Sequence, residues 1–452
     1  MSEVFDAVVV GAGPGGEVAV SRLAAGGLRT ALVEKELIGG ECGYYGCIPS
    51  KTLLRGPEAQ AQAERVAGLS RPALDWPALR DYRDVMVRHH DDSRQVEEYR
   101  KNGVEVVKGS ARFVGRDPWT LAVGDRVLAA EHVVLATGSQ PVRPDIPGLD
   151  RVPVWTNREA TSLREIPGRA ALIGGGPVAV ELGHFLARMG CEVTLLVRGE
   201  RLLAREDPRL GEEAARLLSA DGATVLTGRQ ARSARPSGSG GAVLELDDGR
   251  ELTVDVVVLG TGRRPGTAGL GLEDVGVPVD VRGALPVDDR CRAAPGLWAV
   301  GDVTGRPAFT HLAKYHARVA ADTILGKRRV RNDAVHPRVV FTEPEIAAVG
   351  MTPAEAERAG IDAAEATVDL AAALARPWTF DTEPHGRLSL LADRERRVLV
   401  GAWAVAPMAG EFIHYAVLAI RAAVPIDVLL DDIAQFPTYS EGFLNALEQL
   451  EL

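Results

Sequence analysis

The sequence predicts an α/β fold built around two dinucleotide-binding folds of Rossmann type, and three observations carry that reading. Residues 4–10, VFDAVVV, form a valine-rich apolar run that feeds directly into Gly11-Ala-Gly13-Pro-Gly-Gly16. The same order returns over 169–198, where AALI leads into Gly174-Gly-Gly176-Pro-Val-Ala179. Three further stretches, Ala136-Thr137-Gly138, Thr261-Gly262-Arg-Arg-Pro265 and Leu297-Trp-Ala-Val-Gly-Asp302-Val, each follow a β-rich apolar run. Such positions mark strand ends at the crevice where α/β sheets bind ligands.

In the first fold the apolar run reads as a strand buried on both faces. EVAVSRLAAGG then reads as a helix, and TALVEKE as a second strand ending at Glu34, 23 positions beyond Gly11. Glycines at 11, 13 and 16 let the backbone turn tightly and approach a pyrophosphate, whose charge sits on the helix N-terminus. Glu34 then accepts hydrogen bonds from ribose hydroxyls. In the second fold the corresponding strand ends in Arg198. An acid there repels a 2′-phosphate and an arginine accommodates one, so this site leans to NADPH, with NADH possible. Arg201 either assists or is a solvated loop arginine. Two such folds in one chain suggest two dinucleotides, a flavin passing on electrons from a nicotinamide.

Composition sets the limits. A chain of 452 residues with 46% hydrophobic content buries a large core and divides into two to four domains. No apolar run approaches the roughly 18 residues of a membrane span. A net charge of −10 argues against a nucleic-acid or anionic-membrane surface. MSEVFDAVVV has neither the basic nor the apolar region of a signal peptide, which points to the cytoplasm. Four cysteines in a reducing compartment do not form structural disulfides by default, and the close pair Cys42 and Cys47 is read as redox-active or metal-binding. For zinc, Cys191 and Cys291 are isolated and no C-x-x-C or H-x₃-H completes four ligands, so no metal is expected. Residues 231–242, ARSARPSGSGGA, read as a hairpin loop, and residues 76–103 as a charged helical stretch with His89 and His90 solvated.

GAGPGG, GGECGYYGCIPSK, ATGSQP, GGGPVAVELG, TGRRP, GLWAVGDVTG, VVFTEPEIAAVGMT and FPTYSEG together extend over essentially the whole chain. On these motifs the sequence resembles the FAD-dependent pyridine nucleotide–disulfide oxidoreductases, the family of dihydrolipoamide dehydrogenase, glutathione reductase and mercuric reductase. The resemblance implies an FAD-binding domain at 1–150, an NAD(P)-binding domain at 151–268, a second FAD segment at 269–333 and an α+β dimerisation domain at 334–452. It further implies FAD and a nicotinamide cofactor, and a homodimer whose active sites are completed by the partner's C-terminal segment.

By the same resemblance Cys42 and Cys47 form a redox-active disulfide, with Cys47 against the flavin and Cys42 facing the substrate. Lys51, paired with Glu181, would sit near the flavin. Asp302 would bind its ribitol, and the helix starting near His311 would face its pyrimidine edge, with His311 itself a cofactor contact or a capping residue. Thr137, Gly138 and Gly262 belong to the same set of cofactor contacts, and Glu441 to the catalytic one. In a regular helix residues five apart are rotated by about 500°, or about 140° net, which sets their Cα atoms too far apart for a disulfide. The segment must therefore bend, and Gly43 and Gly46 are the residues expected to permit it. A helix beginning here is expected to lower a thiol pKa.

Three departures bear on the chemistry. Phe436 stands where thiol-reducing members carry a histidine, although Glu441, which would orient that histidine, is present. Pro177 follows the GGG of the second motif, and the chain ends in EQLEL without a vicinal cysteine pair, which argues against mercuric ion. Tyr439 and His414 are the nearby titratable groups, the latter expected to pack on a helix face. Two readings follow: a disulfide/dithiol oxidoreductase, favoured because both cysteines are present, or an NAD(P)H dehydrogenase of quinone or diaphorase type.

Overall fold

The computed structural model describes residues 2–238 and 240–452. The chain divides into two compact units: one of residues 1–50, 81–142 and 262–333, the other of residues 51–80, 143–261 and 334–452.

In the first unit, strand Glu3–Val10 lies at the centre of a sheet, parallel to Thr30–Glu34 on one side and to Arg126–Leu135 on the other. Leu297–Ala299 and Glu105–Lys108 extend it in parallel on either edge. Val8 and Val9 are fully buried, as a strand covered on both faces requires. Helix Pro14–Ala25 starts directly after the glycine loop. A Cβ on Gly16 would lie 1.8 Å from the Gly11 carbonyl oxygen, so only glycine lets the helix leave the loop this closely.

The second unit repeats this plan with a five-stranded parallel sheet, ordered 224–227, 192–197, 169–173, 256–259 and 154–155. Its first strand after the repeat begins, Arg169–Ile173, leads through Gly174 into helix Pro177–Arg188. The two folds share one construction. A Cβ on Gly11 would meet the Ala136 oxygen at 2.4 Å, and one on Gly174 would meet the Gly260 oxygen at 2.3 Å. The same unit holds a five-stranded antiparallel sheet, ordered 337–340, 345–350, 398–406, 387–393 and 363–369. Its strand Val398–Ala406 is buried at all nine positions, whereas the edge strand Ala363–Asp369 alternates buried and exposed.

Two local expectations are corrected. Residues 231–236 are a strand paired with Ala242–Leu246, so the loop is confined to the few residues between them, of which Ser239 lies outside the described residues. Burial of Ala231 and Ala234 overrode the polar composition, and an irregularity between Ala231 and Ser233 brings both to the core while Arg232 and Arg235 face solvent. The 76–103 stretch is not one helix. It breaks between helices Trp76–Met86 and Ser93–Lys101, where Arg88, His89 and His90 all take left-handed φ of 52°, 49° and 60°. Asp92 ends the break by accepting from Ile38 N at 2.7 Å and from Lys108 Nζ at 2.6 Å.

Candidate active site

The cysteine segment is two helices, not one. Helix Gly40–Tyr44 carries Cys42, the chain breaks at Tyr45–Gly46, and helix Cys47–Arg65 begins on the second cysteine. Gly43 has open space around it and supplies no special conformation, contrary to the expectation. Gly46 lies at the break itself, and a left-handed conformation is used ahead of Cys42, at Gly40 (φ 57°), where a Cβ would come within 2.7 Å of Gly13 Cα. The cysteine segment is thus packed directly on the first glycine loop.

Both cysteines are half-buried thiols, not joined in a disulfide. The Cys42 thiol is hydrogen-bonded to Cys47, and this bond, then burial, then the charge of Cys47 push it well above the usual thiol range. That corrects the expectation of a lowered pKa as far as Cys42 is concerned: its short helix exerts less than its neighbour does. Thr310 and the charge of Lys314 act in the opposite direction on Cys42. Thr310 Oγ1 also lies 3.3 Å from Cys47 Sγ. Thr310 opens helix Thr310–Ile324, one residue before the start read from the sequence. His311 is exposed and stacks on Phe309, with ring centroids 5.2 Å apart.

Around the first glycine loop the residues fit a dinucleotide. The N-cap of helix Pro14–Ala25 is Gly13, which caps with no side chain, and the space beside Gly13 is open. The first-turn N–H groups are therefore available to a phosphate. Among the described residues the buried Thr137 hydroxyl finds no hydrogen-bond partner, as expected of a group that binds a ligand. Glu34 is buried, and its two oxygens accept from Ala12 N and Glu36 N, both at 2.7 Å. Asp302 accepts from Ser139 Oγ at 2.6 Å, while Arg263 donates to Ser139 Oγ at 2.7 Å and to its carbonyl at 2.8 Å. Gly138 and Gly262, both with positive φ, flank the short antiparallel pair formed by 139–141 and 263–265.

In the second unit Lys51 Nζ donates to Glu181 Oε2 at 2.6 Å. Helix Pro177–Arg188 likewise has a glycine N-cap, Gly176, with open space beside it. Arg198 is exposed just past strand Glu192–Val197 and, among the described residues, has no hydrogen bond or ion pair within the chain. Arg201 is engaged with the Ala204 carbonyl at 3.1 Å. Glu441 accepts from Thr438 N at 2.9 Å and opens helix Glu441–Glu448. Phe436 is 75% exposed, so its ring serves no core of its own unit. His414 is exposed too, not packed on a helix face as expected. Among the described residues no cluster of His, Cys, Asp and Glu could hold a metal ion, and no helix is long and apolar enough to cross a membrane.

Four residues of this arrangement escaped the sequence reading: Thr310, Lys314, Ser139 and Arg263. Each lies inside or beside a motif that was read. A hydroxyl at the first helical position with a lysine one turn on was the available signal for the first two.

Residues 5–317 match the family model described as pyridine nucleotide-disulphide oxidoreductase, and residues 336–447 match that family's dimerisation domain. A mercuric reductase of Streptomyces lividans is 36% identical, over 98% of this chain and 96% of its own. A dihydrolipoyl dehydrogenase of Thermus scotoductus is also 36% identical, over 99% of this chain and 98% of its own. Among solved structures, the HOCl-induced flavoprotein disulfide reductase RclA of Escherichia coli superposes with a TM-score of 0.88 at 28% identity, covering 98% of this chain and 99% of that one. Dinucleotide loops, a dithiol and a matched dimerisation domain on one chain have a single common explanation: the protein belongs to the pyridine nucleotide–disulphide oxidoreductase family, flavoprotein oxidoreductases that use FAD and NAD(P)H.

Proposed function

We propose that the chain uses NADPH, in preference to NADH, to reduce a disulfide acceptor through FAD and the Cys42–Cys47 pair. The observation that carries this reading is the hydrogen-bonded thiol pair, with Thr310 against Cys47. FAD held by these residues would supply the electron pair, drawn as hydride from the nicotinamide, that opens the Cys42–Cys47 bond. With one further proton from solvent, both cysteines become thiols. Cys42, as thiolate, attacks one sulfur of the acceptor and expels the other as a thiolate, which takes up a proton. Cys47 then attacks Cys42, expels the second thiolate and re-forms the intramolecular disulfide.

In this reading Cys47 faces the flavin, Cys42 faces the acceptor, and Lys51 with Glu181 orients the flavin and nicotinamide. Gly11, Gly13, Gly16, Glu34, Thr137, Gly138, Gly262, Asp302 and His311 hold FAD. Gly174, Gly176, Arg198 and Arg201 hold the nicotinamide dinucleotide. What supports NADPH is the unpaired, exposed Arg198, where the first fold has the buried and doubly bonded Glu34. Residues 1–150 and 269–333 form the FAD domain, 151–268 the NAD(P) domain and 334–452 the interface of a cytoplasmic homodimer. There Glu441 reaches the partner's active site.

Phe436 favours a second reading, in which a quinone or dye accepts electrons without proton transfer from the C-terminal motif. Tyr439 cannot take over that transfer, because burial pushes its hydroxyl up to about 12. A metal ion needs no proton either, and RclA is known as a Cu(II) complex. An anaerobic NADPH titration tests the main reading: two electron pairs per flavin are expected, and uptake of only one would remove the disulfide from the pathway. A panel of lipoamide, glutathione disulfide, quinones and Cu(II) then separates the acceptors.

A further inference from the structure

Helix Pro177–Arg188 grips a stretch of main chain with three side chains on one face. Glu181, His184 and Arg188, spaced three and four apart, all point at residues 341–343, just beyond strand Pro337–Val340. Phe341 N donates to Glu181 Oε1 at 3.0 Å. Glu343 N donates to His184 Nε2 at 3.1 Å, and Arg188 Nη2 donates to the Glu343 carbonyl at 3.3 Å. The far side of His184 is fixed as well. Its Nδ1 lies 2.6 Å from Asp221 Oδ2, a close polar contact rather than an aligned hydrogen bond, and Asp221 Oδ1 accepts from Arg188 Nε at 2.9 Å. The carboxylate keeps the proton on Nδ1 and leaves the Nε2 lone pair for the main chain. His184 is only 2% exposed, and burial holds it below the usual histidine range, in the neutral form this arrangement needs.

The segment so held carries Phe341, and Lys51 Nζ sits over its ring, 4.6 Å from the centre. The Lys51 ammonium therefore rests on two supports, the Glu181 carboxylate and the Phe341 face. Both supports depend on residues 341–343 staying in place. We infer that His184, oriented by Asp221, is a positioning residue that fixes the Lys51–Glu181 pair by holding the 341–343 main chain. This rests on the role proposed above for that pair. Removing the imidazole leaves a buried Glu343 N–H without an acceptor, which gives the segment reason to shift. Arg65 and Gln62 still hold the Glu343 carboxylate, at 2.6 and 3.1 Å, so the displacement is directed toward Phe341.

The test uses the holoenzyme and two readouts. Acylation of Lys51 by an amine reagent, followed by mass spectrometry with the exposed Lys101 as internal reference, reports the pair directly. The rate of flavin reduction by NADPH reports its use. His184→Leu is expected to raise Lys51 acylation severalfold and to slow flavin reduction roughly tenfold, within the ~100-fold that a small misplacement can cost. His184→Gln, which keeps an acceptor for Glu343 N, is expected to restore most of both. If His184→Leu does not fold, Phe341→Leu removes the ring support alone and is expected to expose Lys51 in the same way. A variant that only loses thermal stability, with Lys51 acylation and flavin reduction unchanged, overturns the inference. Faster Lys51 acylation in a protein whose wild type NADPH does not reduce would sustain the placement and sink the proposed reaction instead.

Discussion

The Cys42 thiol is hydrogen-bonded to Cys47, and that bond is the largest reason its proton is hard to remove. Cys42 is the sulfur proposed to attack the acceptor, so the reduced enzyme holds its own nucleophile protonated. Alkylation of Cys42 in the reduced enzyme by iodoacetamide is therefore expected to be slow at pH 7 to 8 and to rise only above the ordinary thiol range. Cys47→Ala removes the first and third causes together and leaves burial, so it should speed alkylation of Cys42 at pH 8. Equal rates in wild type and variant would mean that burial alone holds the proton.

Arg198 is proposed above to discriminate between the nicotinamide cofactors in the second dinucleotide fold. Loss of one charge-assisted contact to a 2′-phosphate costs roughly 1.5–3 kcal/mol, or about one to two decades of affinity. Arg198→Glu is expected to weaken NADPH by that amount and to turn preference toward NADH, measured as the ratio of kcat/KM for the two. A wild type already faster with NADH would make Arg198 a surface charge only.

How much of this was legible in the sequence depends on whether a signal is local. Strand Glu3–Val10, the glycine loop and Glu34 could be read because period, turn and spacing lie within some thirty residues. The Ser139–Asp302–Arg263 contact could not, since its members are 124 and 163 positions apart and only the fold joins them. The break at Arg88–His90 was hidden for a similar reason. Helical composition runs through it, but His90 packs against Tyr44 and Tyr45, at 5.9 and 5.3 Å between ring centroids. That contact and the pairing of Asp92 with Ile38 N override local propensity. The cysteine spacing announced a bend, which falls at Tyr45–Gly46, but not that the segment also needs a glycine at 40, because that requirement comes from Gly13.

Glu345 makes stability depend on pH in a direction opposite to most carboxylates. Burial first, and then the charges of Glu58, Glu343 and Glu411, raise it from 4.5 to about 7, against the pull of its bond from Gly410 N. Between those two values the folded chain keeps a proton that the unfolded chain gives up. Its contribution is thus fully present below about pH 4.5 and is lost as pH rises through 7. Glu345→Gln retains an acceptor for Gly410 N and carries no charge. It is expected to raise the denaturation midpoint at pH 8, by the equivalent of about 3 kcal/mol for a shift of this size, and by much less at pH 5. The same gain at both pH values would show that Glu345 does not titrate in this range.

The last prediction turns on Phe436. Reduction of a disulfide releases thiolates that must be protonated, and a positioned histidine contributes about 10²–10⁴-fold to such a transfer. Phenylalanine cannot titrate, and at 75% exposure the ring is held by no contact that would demand it for stability. Glu441 is occupied with Thr438 N, and Tyr439, 5% exposed and stacked on Phe412, is pushed up to about 12 by burial. Phe436 offers no proton and Tyr439 is not poised near neutrality. Turnover of lipoamide or glutathione disulfide is expected to run at least about a hundredfold below that of histidine-bearing relatives, while quinones or dyes are reduced readily. Phe436→His should raise activity on small disulfides, because Glu441, five residues on, is present to orient the new ring. Combining it with Glu441→Gln should cancel much of the gain. Brisk wild-type turnover of lipoamide with a bell-shaped pH profile near neutrality would show that a group outside this motif supplies the proton.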